Sequence, residues 1–146
     1  MCRYALTSYK PHLACFTCRK QFKRRLARDI EHQGEQVAAR CPQCRGPMAD
    51  MGLDFKPPPQ DDERGWAVAA SLWEVGETFH SCGCGGPGYR PRDPVALRAY
   101  LDGTRTRYLE HLRRWMDSPP HRDRESAMLT WRRAVARIDV ALGQHG

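Results

Sequence analysis

No apolar run in this chain is long enough to cross a membrane: the longest, residues 66–72, contains Ser71 and falls far short of the roughly 20 residues a span requires. The opening stretch MCRYALTSYKPH has no apolar core of the kind that directs secretion, so a soluble, cytoplasmic protein is expected. No G-x-S-x-G, H-E-x-x-H or kinase signature occurs, no phosphate-cradling G-x4-G-K-[ST] occurs, and no carboxylate pair stands out; catalysis has little support. The 11 prolines and 12 glycines show no collagen-like period or long tract, which excludes a fibre and wholesale disorder. With 146 residues the chain is also too short for a large multi-domain enzyme. Lysine is scarce, since 20 of the 24 basic residues are arginine; this favours bidentate phosphate or carboxylate recognition, or reflects a GC-rich genome.

Cysteine, by contrast, is abundant. Seven cysteines without a secretion signal, and in odd number, point to thiolates in a reducing compartment rather than to a disulfide scaffold. Cys15 and Cys18 form one C-x2-C pair and Cys41 and Cys44 a second, separated by 22 residues. A two-residue spacer lets both sulfurs of a tight turn reach one tetrahedral ion, so these four residues are the expected ligands of a zinc ion. Four protein ligands leave no open position, which makes the expected zinc structural. Gly46, two residues beyond the second pair, suits a chain that bends back with positive φ; the first pair has Lys20 at that place.

The paired C-x2-C, with Cys-Pro-x-Cys-x-Gly in its second half, resembles the zinc-ribbon superfamily. That resemblance implies a small module that binds nucleic acid, RNA polymerase or the ribosome, or serves as a structural clip. Residues 51–56 together with the stretch FHSCGCGGPG at 79–88 are also similar to small bacterial zinc-ribbon proteins of uncharacterised activity, a likeness that spans roughly residues 10–92 and supplies no mechanism.

A second cluster is less specific. Alternation along a strand would place His80, Cys82 and Cys84 on one side, and His12 or Cys2 would complete another tetrahedral site. A second zinc, a C-x-C redox pair, a reactive thiol beside a histidine and idle packed cysteines all remain open. The following loop, residues 83–88, reads as a tight turn, with Arg90 and Arg92 placed either to meet an anion or simply to be solvated.

Charge is uneven: residues 1–50 carry +6, residues 51–92 carry −2 and residues 93–146 carry +3. Most of the excess lies in one run that contains Arg19, Lys20, Phe22, Lys23, Arg24, Arg25 and Arg28. Six cations and an aromatic ring suit phosphate neutralisation with one stacking contact; the competing reading is a solvated face that offsets the formal charge of −2 on a four-thiolate zinc.

Periodicity supplies the rest. Phe22, Leu26 and Ile30 suit a short amphipathic helix between the cysteine pairs, while residues 36–40 suit a strand leading into the second pair. Pro57, Pro58 and Pro59 make a stiff linker, and Asp61, Asp62 and Glu63 open a helix with a stripe of Trp66, Ala69, Ala70 and Trp73 that Gly76 closes. Residues 77–80 read as a strand. Asp93 and Pro94 start a helix lined by Leu97, Leu101, Tyr108, Leu112 and Trp115, with Gly103 a break point and Ser118, Pro119 and Pro120 its end. Met128, Trp131, Val135, Ile138 and Leu142 form the seam of a last helix, antiparallel to the one before.

The expected fold is therefore α+β: a zinc-ribbon-like module at 1–56, a linker, helix and Cys/Gly-rich loop packed on it at 57–92, and a helical hairpin at 93–146. The expected function is non-catalytic binding of zinc and of RNA, DNA, a ribosome or a polymerase. The alternatives are a protein-interaction adaptor or self-associating chain that uses the 128–142 seam, and a thiol redox or sensor protein that uses Cys82 and Cys84.

Overall fold

The computed structural model describes residues 12–23, 40–80 and 86–144. A three-stranded antiparallel sheet and three helices make the chain α+β. The strands are β1 (His12–Cys15), β2 (Lys20–Lys23) and β3 (Ala49–Asp50), in the order β2-β1-β3. In β1 and β2, His12 lies opposite Lys23 and Cys15 opposite Lys20, so the first cysteine pair spans the hairpin loop. On the other edge of β1, Leu13 faces Asp50 and Ala14 faces Ala49. Phe22 thus belongs to a strand, where its cross-strand partner is Leu13, and not to the expected helix. Leu26, Ile30 and residues 36–39 lie outside the described residues, while Arg40 forms a lone antiparallel bridge with Pro47.

Helix α1 (Glu63–Glu74) starts where Asp62 accepts the Gly65 amide at 3.0 Å, satisfying one of the free donors of the first turn. It ends in paired bonds from the Gly76 amide to Trp73 and from the Glu77 amide to Leu72, with Gly76 at φ +80. That geometry is a Schellman motif, and it explains why glycine closes the helix. The expected single stripe is corrected: Trp66 and Ala69 are buried, but Trp73 is 42% exposed, and Val68, Ser71, Leu72 and Val75 are buried instead. The reason is that α1 is covered on two sides. Trp66 and Ala69 pack with Ala14, Ala49, Met51 and Phe55 of the sheet region. Val68, Leu72 and Val75 pack with the helices that follow.

Residues 77–80 do not form the expected strand. The Phe79 amide donates to Met51 at 2.8 Å and the Asp54 amide to Phe79 at 3.4 Å, but Gly52, at φ +88, turns the chain away before a ladder extends. A Cβ on Gly52 would sit 2.4 Å from the His80 nitrogen, so only glycine permits this approach.

Asp93 caps helix α2 (Pro94–Met116) by accepting the Ala96 amide at 2.9 Å. Gly103 does not break it, because its neighbours keep the helical hydrogen bonds and a single glycine costs only about 1 kcal/mol. Helix α3 (Arg124–Gln144) returns antiparallel: Arg105 pairs with Asp139 at 2.6 Å, Tyr108 and His111 meet Trp131, and Trp115 meets His121 near the turn. Leu97, Leu101, Ile138 and Ala141 form the hairpin core.

Candidate metal centre

Two tight turns bring the four cysteines together. In the first, the Cys18 amide lies 3.4 Å from the Cys15 sulfur; in the second, the Gln43 amide lies 3.4 Å from Cys41 and the Gly46 amide 3.4 Å from Cys44. Backbone bonds from Cys41 to Gly46 and from Arg45 to Cys41, both 2.9 Å, close the second turn. The positive φ expected at Gly46 falls one residue earlier, on Arg45 (φ 59), and its counterpart in the first turn is Arg19 (φ 53). Each turn therefore reverses at the residue directly after its second cysteine, which is why Lys20 is no obstacle. Gly46 has another role: a Cβ there would lie 3.2 Å from the Cys44 sulfur.

All four sulfurs lie within 4.8 Å of one another. Cys15 and Cys44 are 3.5 Å apart and Cys18 and Cys41 are 3.8 Å apart. A tetrahedral ion with sulfur bonds of about 2.3 Å has edges of roughly 3.8 Å, so these separations fit one four-coordinate metal ion. Cys15 and Cys41 are buried, Cys18 is half-buried and Cys44 is exposed. The Cys44 backbone amide, opposed by burial and helped by the Gln43 amide, pulls the Cys41 thiol down to about 6. The Cys44 sulfur, then burial and the other thiols, push Cys18 up to about 12. Burial raises Cys15. The neighbouring thiols oppose ionisation of Cys18 but favour that of Cys41, and a cation among them would favour all four thiolates.

The first turn is latched to α1. Arg19 donates through Nε to the Gln60 carbonyl at 2.8 Å and reaches Glu63 at 3.3 Å, while the Gln60 side chain donates to the Cys18 carbonyl at 3.2 Å. Arg19, a candidate phosphate contact, is thus engaged within the chain. Lys20 and Lys23 lie on β2, and Arg24, Arg25 and Arg28 lie outside the described residues.

Among the described residues the four cysteines are the one group of His, Cys, Asp or Glu side chains close enough to share a metal. His80 is exposed and bonded instead to Thr78 at 2.7 Å through Nδ1, with Nε2 3.3 Å from Asp50. His12 stands at the far end of β1 from Cys15, and Cys2, Cys82 and Cys84 lie outside the described residues.

One feature escaped the sequence reading. Glu77 accepts from Tyr100 at 2.8 Å and from Tyr108, and lies 3.5 Å from Arg90, whose Nε also donates to the Glu77 and Thr78 carbonyls. No spacing rule joins residues this far apart. No family model, curated protein or solved structure matches the chain. No helix among the described residues is long and apolar enough to cross a membrane.

Proposed function

We propose that Cys15, Cys18, Cys41 and Cys44 hold one zinc ion as a structural clip, in a zinc-ribbon-like module that presents residues 19–28 to a nucleic-acid backbone. The observation that carries this reading is the four-sulfur cluster, with its 3.5 and 3.8 Å edges. Zinc supplies a cross-link between the β1–β2 loop and the second turn and, with four thiolates around it, has no position left for a substrate. The role of this zinc is accordingly structural and not catalytic. Lys20 and Lys23, on an edge strand and with no ion pair among the described residues, support a phosphate partner. The adaptor reading has less support, because Val135 and Ile138 of the seam are buried within the hairpin and Trp131 packs on Tyr108 and His111.

Two measurements test the proposal. Metal analysis of the purified chain finds one zinc on this cluster, and Cys41→Ser loses it; full zinc in that variant removes the clip. Binding of single-stranded RNA or DNA falls with salt at a slope of about 0.7 per phosphate contacted. Neutralising Lys20, Arg24 and Arg25 together flattens the slope by about 2. An unchanged slope in a folded, zinc-loaded triple variant makes the segment a solvated face.

A further inference from the structure

The face of β1 that carries Ala14 is covered by α1 through Trp66 and Ala69. On the same face, Gln21 lies directly across from Ala14, and His12 lies across from Lys23 one pair further along. His12, Gln21 and Lys23 line one wall of an open groove of about 820 Å³. That size is within the range of small-molecule sites. The rest of its described lining comes from residues 53–57 and 86–88 with Phe79, Arg90 and Arg92.

Three observations give this groove a chemistry. Lys23, Lys56 and Arg92 are exposed residues of its lining with no ion pair among the described residues, and Asp54 is the one carboxylate among its described lining residues. Beneath its wall, the side-chain nitrogens His12 Nδ1 and Gln21 Nε2 are buried without a hydrogen-bond partner among the described residues, leaving polar groups that a small side-chain shift would present to a ligand. Arg90 is locked: three backbone carbonyls and Glu77 hold it, which fixes the wall that carries Arg92.

We propose that the groove binds a phosphate group carried by a ligand of nucleotide size, with Lys23, Lys56 and Arg92 neutralising its charge. The site shares Lys23 with the 19–28 segment and is distinguished from it by Lys56 and Arg92, which belong to other parts of the chain.

The test is calorimetric binding of inorganic phosphate, adenosine, adenosine monophosphate and a thymidine oligonucleotide to the zinc-loaded full chain. Adenosine monophosphate binds more tightly than adenosine, and Lys56→Ala with Arg92→Ala weakens it by at least about tenfold, as expected when charge-assisted contacts are lost. Both side chains are exposed, so an unchanged melt shows that the variant is folded. Weakening of the monophosphate alone identifies a small-molecule source; weakening that extends to the oligonucleotide identifies a strand. Absence of binding by every phosphate probe, adenosine binding as tightly as its monophosphate, or parental affinities in the double variant overturns the groove. An oligonucleotide affected by neutralising Lys20, Arg24 and Arg25 but not by Lys56→Ala with Arg92→Ala keeps the segment as the strand site, and the groove then stands or falls on the monophosphate. The reverse pattern rejects the segment and keeps the groove.

Discussion

Tyr108 donates its hydroxyl to Oε1 of Glu77, tying the middle of α2 to the segment that leaves α1. The Glu77 and Arg90 side chains are only 14% and 15% exposed, so neither has water as an easy substitute partner. Tyr108→Phe is expected to destabilise the fold by about 1.5–3 kcal/mol, the cost of one lost bond to a charged group. Glu77→Ala is expected to cost about 3 kcal/mol or more, because Arg90 and two phenols lose their acceptor together. Denaturant melts of the two variants check the order.

The same network makes an alkaline prediction. Burial first, and then the Glu77 carboxylate, raise both Tyr100 and Tyr108 above the usual phenol value. Their neutral forms are favoured in the fold, so this contribution is fully present below about pH 10 and is lost as pH rises through the folded values. Tyrosinate absorbance should show two phenols that ionise late in the folded chain, one fewer in Tyr108→Phe, and stability that declines above about pH 10.

Two glycines should respond in opposite ways. Gly103 is inside α2 with nothing within 4 Å of an added Cβ, so Gly103→Ala is expected to stabilise by about 1 kcal/mol. Gly52→Ala meets the His80 nitrogen and the Phe79 carbonyl carbon at 2.4 and 2.5 Å, at positive φ. A loss of about 3 kcal/mol or more is expected, since the obstruction is backbone and cannot rotate away. Paired thermal melts decide both.

The latch on the first turn gives a fourth. The Arg19–Glu63 pair is exposed, so Glu63→Gln should change stability by less than about 1 kcal/mol. Arg19→Ala also loses the bond to the Gln60 carbonyl, and its larger loss in a melt is the expected contrast.

What was legible in the sequence was local. The cysteine spacing located the sulfur cluster, Asp93 with Pro94 located a helix start, and Gly76 a helix end, because each rests on geometry within a few residues. The α1 stripe was misread because one period assumes one buried face, whereas Val68 and Trp66 serve different cores. Residues 77–80 were misread because Phe79 is held by Met51 across a turn, not by a ladder. The His12 and Gln21 nitrogens, and the Tyr100–Glu77–Arg90 contacts, depend on the tertiary fold and leave no mark in spacing.

Helix α1 and Phe79 both contribute to the sheet-side and the hairpin-side clusters. Neither half owns its core outright, so the melting of one strips apolar cover from the other. Loosening of the cysteine turns, latched to α1 through Gln60, would therefore propagate to the far helices, and the described residues should unfold as a single cooperative unit.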